Sequence, residues 1–388
     1  ICVHRSVAEF LGARYLAERI EHHGLPFGRV LALMTGEDGG VVADLRGLAA
    51  WLSVHCHSGR HTLIERDPVG VVLYGDVRNF PKQDKLHVIE AWKREARRYP
   101  WFASERWSSS PSNAAIGALC IKEMEATLLE ILTSLSREEA EQAMLDAVLD
   151  AMCHGERMPS LLEPLETIVR DTSYWPTVRN SALAALMHGV TDDYSRSLKL
   201  AQDLRDGLVE DGEDDLLGTL LSKLYPLAIA ASEIFTYLHP VKSDHHVGSY
   251  SMFWSYGLPK VVEKNDLPIL LDKLAQLPLT LRHALGDYRT NRMTGELLTR
   301  GLKEQGNNIS DERLYKWLGV GLDEYDHPRL DGEYAGHISA WFSTQPARYK
   351  AVIEYGATLC TSHENPWYCM NQCLNRLYGS SRPADIGL

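Results

Sequence analysis

The chain has 388 residues, of which 45% are hydrophobic and 24% are charged, and this balance excludes an intrinsically disordered chain. Its formal net charge of −12 argues against nucleic acid as a partner, because an acidic surface repels phosphate groups. The seven cysteines do not form a disulfide framework, and no apolar run reaches the roughly 18 residues of a membrane helix, so we expect a cytoplasmic protein without a membrane partner.

The first elements of the chain are predicted to be helical. Residues 1–21 have the pattern of an amphipathic helix already in progress and lack the continuous apolar core of a signal peptide. The chain stops at Leu388 without a closing element, so we expect a fragment of a longer polypeptide. Residues 68–74 resemble a strand in composition, but the preceding Asp67-Pro68 pair favours a short helix.

Helical periodicity dominates the middle of the chain. Apolar residues recur every three or four positions over 138–152, after a Ser136-x-x-Glu139 capping pattern and before a glycine end at Gly155. Another helix is predicted over 160–170, and Pro176 begins the next one after a short connector. Further helical stretches are predicted over 81–98, 114–135, 198–224, 268–277, 295–305, 311–320 and 346–359.

Longer connectors interrupt the helices at 209–215, 240–253, 307–310 and 323–336. Loops of this kind tend to collect on one face of a helical repeat protein, often the face that binds. Many helices with short connectors and almost no strands predict an all-α fold. At this length we expect an α-solenoid, in which each helix pair buries its apolar face against its neighbours.

Aromatic residues follow the polar loop at 240–253, which also carries His245 and His246. Aromatic anchors beside a loop are typical of interface hot spots and equally typical of the core between helices, and both interpretations stay open. The candidate binding residues are Tyr250, Phe253, Trp254 and Tyr256.

The C-terminal cysteines form a C-x2-H-x5-C-x3-C pattern with His363. Cys360, Cys369, Cys373 and this histidine would supply four ligands to a tetrahedral zinc ion. However, Cys369 and Cys373 also have the i, i+4 spacing of two core-facing residues on a helix. We favour buried cysteines without a metal.

Two histidine-containing segments are weaker candidates. His55, His57 and His61 surround Cys56, but Gly59 indicates a helix end, so we favour a solvated turn over a metal site. Residues 323–337 contain five acids and two histidines, enough for a cation site or an acid/base pair. Their spacing does not match a calcium-binding loop, and we favour a solvated acidic loop.

One segment resembles the HEAT repeat. In residues 171–186, Asp171 and the Val178-Arg179 pair flank the turn before a helix rich in small residues. Asp171 is expected to cap the turn or pair near Arg179, while Ala182 and its neighbours permit close helix approach. The resemblance implies a right-handed α-α superhelix of the HEAT/armadillo type.

A second resemblance covers residues 4–17, which read His-Arg-Ser-Val-Ala-Glu-Phe-Leu-Gly-Ala-Arg-Tyr-Leu-Ala. This segment is similar to the one that closes the ATPase module of NACHT-type STAND ATPases, except for Gly12, where the family usually has alanine. The resemblance implies three regions: the end of a winged-helix segment over 1–36, HEAT-like repeats over 37–240, and further repeats with longer loops over 241–388. It also makes His4 a candidate nucleotide contact.

The resemblance implies the sensor region of a bacterial signalling protein, with a role in defence against phage. Its partner would be a protein trigger or the parent's own ATPase module. The chain has no Gly-Lys pair and therefore no P-loop, so we expect neither an enzyme nor a bound cofactor in this region. Alternatives are a free-standing HEAT-like adaptor, a metal-dependent hydrolase, and a HEAT-like DNA-repair enzyme, which the negative charge disfavours.

Overall fold

The computed structural model describes residues 4–102, 113–134, 136–191, 193–242, 247–282, 284–323, 325–361 and 363–380. These residues form helices and loops, and they contain no β-strand; two isolated bridges join Thr35 to Val41 and Leu322 to Pro328. The predicted all-α fold is confirmed. None of the helices in the described ranges is long and apolar enough to cross a membrane.

The chain divides into two compact units, Ile1–Asp193 and Tyr194–Leu388. The three regions that the resemblance implies stay a prediction. The segment that was predicted to end at residue 36 belongs to the first unit, because its long helix packs against helices that follow it. Residues on both sides of the predicted boundary at 240 belong to the second unit.

The helices of the first unit are α1 (Arg5–His23), α2 (Phe27–Met34), α3 (Arg46–His55), α4 (Arg60–Arg66), α5 (Pro68–Tyr74), α6 (Lys82–Arg98), α7 (Asn113–Ile116), α8 (Glu125–Ser134), α9 (Glu139–Met152), α10 (Leu162–Arg170) and α11 (Pro176–Gly189). Helices α1, α3 and α5 pack in one row, and α4, α6, α9 and α11 pack in another. Packing between near neighbours in the chain is what stacked helix pairs require.

Local chemistry explains where helices of this unit begin. The Asp67 carboxylate accepts the Gly70 N–H at 2.9 Å and both arms of the Arg46 guanidinium, so residues 68–74 start as a helix, as predicted. The predicted capping box at α9 does not form. Ser136 accepts only the Glu138 N–H at 3.3 Å, and the α9 N-cap has no side-chain hydrogen bond.

In the HEAT-like segment Asp171 caps the turn, one of the two expected roles, and its ion pair is with Arg137. Asp171 accepts the Ser173 N–H and side chain and forms an ion pair with Arg137 at 2.6 Å. The hydrogen bonds from Ser173 and Arg137 lower the pKa of Asp171 to about 2. Arg179 is buried and donates to the Val169 carbonyl at 2.8 Å, so it joins the end of α10 to α11.

The helices of the second unit are α12 (Ser195–Arg205), α13 (Asp215–Leu224), α14 (Ser249–Met252), α15 (Leu258–Val261), α16 (Leu267–Gln276), α17 (Leu279–Arg282), α18 (Asp287–Gln305), α19 (Asp311–Leu318), α20 (Gly332–Thr344), α21 (Pro346–Cys360) and α22 (Pro366–Asn375). A π-helical turn, Phe253–Gly257, joins α14 to α15. Helices α16, α19 and α21 pack in one row, and α18 packs against α20.

Two helices of this unit depart from the prediction. Helix α18 begins eight residues before the predicted start at 295. The apolar pattern missed its first turns, because Thr290 and Thr294 occupy inward positions there. Helix α20 begins inside the connector predicted over 323–336, since the Asp331 carboxylate caps it by accepting the N–H groups of Glu333 and Tyr334.

Candidate protein-interaction surface

The aromatic segment after the polar loop divides between core and surface. Tyr250, Phe253 and Trp254 are fully buried, and the Trp254 ring stacks on Phe235 with 5.7 Å between centroids. The Tyr250 hydroxyl donates to the Tyr237 carbonyl at 3.0 Å. These three rings therefore belong to the core of the second unit, one of the two interpretations left open above, and they are not exposed contacts.

Close helix packing fixes this segment. Gly218 of α13 lies against the backbone of Tyr250, and any side chain at 218 would collide with that backbone. The Asp215 carboxylate accepts the Ser249 N–H at 2.6 Å, at the start of α14. Phe253 and Trp254 are turned inward and Ser255 is buried with them, whereas Met252 and Tyr256 remain exposed.

An exposed patch lies on the outer side of this segment and on the first turns of α18. Met252 and Tyr256 have 44% and 40% of their surface exposed, and Tyr288 has 67%. The Arg292 guanidinium lies over the Tyr256 ring at 4.1 Å from its centroid, and Tyr288 lies one turn before Arg292 on α18. We call Met252, Tyr256, Tyr288 and Arg292 the Tyr288 patch.

The chemistry of the Tyr288 patch is that of a protein interface. Tyrosine, arginine and methionine are enriched at the centres of such interfaces, and tyrosine and arginine dominate hot spots. The buried Nε of Arg292 has no hydrogen-bond partner among the described residues. An acidic side chain of a partner would therefore find an oriented, partly desolvated guanidinium.

The sequence indicated one of the four residues of the Tyr288 patch. Tyr256 was among the candidate binding residues, and it is the one of the four that the structure exposes. Tyr288 and Arg292 were missed because α18 was predicted to begin at 295. Their i, i+4 spacing would have placed them on one helix face had the helix been extended to Asp287.

His4 lies at the N-cap of α1, exposed, and its side chain makes no capping hydrogen bond. Helix α1 follows it as predicted, so the residues of the STAND resemblance form one helix. Val7, Leu11 and Tyr15 stand at i, i+4 and i+8 on that helix, and all three are exposed. These three side chains form an apolar stripe on the outer face of α1.

The C-terminal cysteines come together, while the histidine of their motif does not. Cys360 and Cys369 form a disulfide, and Cys373 is a free, buried thiol. The predicted burial is confirmed, but the expectation of unpaired cysteines is wrong for this pair, because the α21–α22 turn brings them together. His363 is exposed and accepts the Asn365 N–H at 3.0 Å.

The histidines around Cys56 do not converge. His55 ends α3 and lies edge-on to Phe10 at 5.0 Å. His57 accepts a hydrogen bond from Arg60 at 2.9 Å, and His61 pairs with Asp84 at 2.9 Å. Gly59 lies between α3 and α4, as the predicted helix end requires. Each ring thus has a different neighbour, and the three do not share one site.

Two of the acidic side chains in 323–337 accept hydrogen bonds from the backbone of this segment. Asp323 accepts two loop N–H groups, each at 2.8 Å; burial raises its pKa, but these hydrogen bonds and nearby positive charge lower it below the ordinary value. Asp331 caps α20. Glu324 lies outside the described residues, as do His245 and His246 of the aromatic segment.

No family model, curated protein or solved structure matches this chain. The all-α fold and the geometry of its surfaces are therefore the basis for any functional conclusion.

Proposed function

We propose that this chain is a protein-recognition scaffold, the sensor region of a NACHT-type STAND ATPase, and that it binds its partner through the Tyr288 patch. The observation that carries the proposal is that the Arg292 guanidinium lies over the exposed Tyr256 ring, one helical turn after the exposed Tyr288. Side chains of these types supply most of the binding energy in protein interfaces when a partner excludes water from them.

The Tyr288 patch is held in place before any partner arrives. Tyr256 follows two buried rings of the π-helical turn, and that turn packs against α18, which carries Tyr288 and Arg292. The contact between the Arg292 guanidinium and the Tyr256 ring links the two elements. A pre-organised surface loses little side-chain entropy on binding, which favours affinity.

A second surface supports the STAND part of the proposal. Val7, Leu11 and Tyr15 form an exposed apolar stripe along the helix that carries the resemblance. Exposed apolar stripes of this kind mark contacts with another folded part. In the proposed parent protein, this stripe contacts the ATPase module, and partner binding at the Tyr288 patch shifts that module from a closed to an open state.

Binding measurements with purified proteins test the Tyr288 patch. The chain is immobilised and exposed to a panel of phage proteins and to the ATPase module of its own parent. For a protein that binds, Tyr288→Ala and Arg292→Ala should each weaken binding by about 2 kcal/mol, roughly 30-fold. Arg292→Lys is the matched control for charge, because lysine keeps the charge and loses the planar stacking.

An equally exposed tyrosine provides the surface control. Tyr325 lies in the same unit with 62% of its surface exposed, so Tyr325→Ala should leave the affinity unchanged. Equal losses for Tyr288→Ala and Tyr325→Ala would contradict a site at the Tyr288 patch.

The encoding reading frame tests the STAND origin separately. An in-frame Walker A motif within a few hundred codons upstream of Ile1 would support a STAND ATPase. A start codon immediately upstream, with no such motif in the frame, would overturn that origin and leave the free-standing adaptor as the better description.

A further inference from the structure

Three sulfur atoms converge at the α21–α22 turn. The Sγ atoms of Cys360, Cys369 and Cys373 all lie within 4.8 Å of one another, and all three residues are buried. Cys360 and Cys369 are joined as a disulfide, and the Cys373 Sγ lies 3.7 Å from the Cys360 Sγ. One disulfide needs only two of these three sulfur atoms, and the third belongs to the free thiol of Cys373.

The sequence builds this cluster from two helix faces. Gly356 and Cys360 lie one turn apart on α21, and Cys369 and Cys373 lie one turn apart on α22. A side chain at 356 would place its Cβ 2.9 Å from the Cys373 sulfur, so glycine leaves room for that thiol. Asn365 caps α22 by accepting the Tyr368 N–H at 3.1 Å, which fixes the turn between the helices.

We propose that these three cysteines form a thiolate site for one soft d¹⁰ cation, Cu⁺, and that the Cys360–Cys369 disulfide is the state that cannot bind it. A dithiol reductant supplies two electrons and two protons to the disulfide and is itself oxidised to a disulfide. Cu⁺ then replaces the three thiol protons, which pass to water, and three S–Cu bonds form.

The donor set selects the ion. Among the described residues, the cysteines are the one group of His, Cys, Asp or Glu whose ligand atoms converge this closely, and no fourth ligand joins them. Structural zinc takes four ligands, whereas thiolates alone suit the softer Cu⁺. Two sulfurs at about 2.3 Å from one ion lie roughly 3.7 to 4.0 Å apart, which matches the Cys360–Cys373 pair.

Neighbouring groups support bound thiolates. The Tyr315 hydroxyl lies 3.0 Å from the Cys373 Sγ, within hydrogen-bond distance of a ligand sulfur. The Arg376 guanidinium lies over the Tyr315 ring at 4.3 Å and brings positive charge to the same wall. Hydrogen bonds to metal ligands commonly change affinity by about 10- to 100-fold when removed.

A Cu⁺ titration of the full chain, with a chromogenic chelator as competitor, tests the site. The chain reduced under anaerobic conditions should bind one Cu⁺ at the cluster, and the oxidised chain should bind none there. Cys373→Ser keeps the Cys360–Cys369 disulfide as a folding control, which circular dichroism can check, and after reduction it should lose this ion. Tyr315→Phe should weaken binding by about 10- to 100-fold.

Cys153→Ser is the matched cysteine control, because Cys153 is a free thiol of the other unit, and it should bind like the unsubstituted chain. Equal Cu⁺ binding by the reduced chain and by reduced Cys373→Ser would overturn the proposal. A reduced chain that binds Zn²⁺ at these cysteines more tightly than Cu⁺ would overturn the assignment of the ion.

Discussion

Helix α11 of the first unit and helix α18 of the second unit bury their inward faces with different side chains. In the first unit, α11 buries one polar residue, Arg179, among five apolar ones: Val178, Ala182, Leu183, Ala185 and Leu186. In the second unit, the inward positions of α18 include two threonines, and its contact with α20 is made through a glycine. The second unit carries the buried aromatic segment, the Tyr288 patch and the cysteine cluster. The comparison teaches that regular apolar spacing indicates packing, while function is expected where that spacing is interrupted.

The largest expected effect is a loss of stability when a core residue of the second unit is replaced, compared with a residue of the Tyr288 patch. Trp254→Ala removes a fully buried ring and should lower the free energy of unfolding by about 3 to 5 kcal/mol. Tyr256→Ala, two residues away and exposed, should cost far less. Chemical denaturation followed by circular dichroism measures both, and similar losses for the two variants would contradict the division of this segment into core and surface.

A buried ion pair gives a comparable effect in the first unit. The Arg60 guanidinium binds Asp84 at 2.6 Å, and both side chains are almost completely buried. Asp84→Ala leaves the arginine charge without its carboxylate and should lower the free energy of unfolding by about 3 to 5 kcal/mol. A loss below about 1 kcal/mol, the level of a surface pair, would show that water replaces the carboxylate.

The same pair predicts a pH dependence. Burial raises the pKa of Asp84, but the hydrogen bonds from Arg60 and His61 outweigh it and hold the pKa below its ordinary value of 3.8. A lowered pKa means that the ion pair stabilises the fold at pH values above the ordinary pKa of aspartate. This stabilisation is lost as the pH falls through the pKa of Asp84 in the folded state. The stability difference between the unsubstituted chain and Asp84→Ala should therefore shrink in acid.

Alanine substitutions of two glycines should change the stability less, and with opposite signs in the two units. A side chain at Gly117 would collide with the backbone of His154, so Gly117→Ala should destabilise the first unit by about 1 to 3 kcal/mol. Gly336 lies on α20 with open space around it, so Gly336→Ala should stabilise the second unit by about 0.5 to 1 kcal/mol. Thermal unfolding distinguishes the two variants, and the same sign for both would contradict the packing described here.

The smallest expected effect is the change in the free energy of unfolding when Tyr288 of the patch is replaced. Tyr288→Ala should change the free energy of unfolding by no more than about 0.5 kcal/mol, because this side chain is mostly exposed. A loss above about 1 kcal/mol would assign the patch a structural role. This measurement therefore makes the binding experiment interpretable.

Sequence patterns predicted the fold better than the surface. The bounds of α9 and the start of α5 followed from apolar spacing and from Asp67-Pro68, since both depend on local chemistry. The early start of α18 did not follow, because threonines on its inward face hide the apolar pattern. The Cys360–Cys369 pairing and the contact between Tyr256 and Arg292 depend on how distant helices meet, which spacing along one helix does not indicate.

The measurement that tests the central claim most directly is photo-crosslinking from position 288. A photoreactive phenylalanine analogue is placed at 288 in one chain and at 325 in another, and each is mixed with the bound partner. The Tyr288 patch predicts a strong crosslink from 288, its loss when Arg292→Ala is added, and background yield from 325. Equal yields from the two positions would contradict the proposed interaction surface.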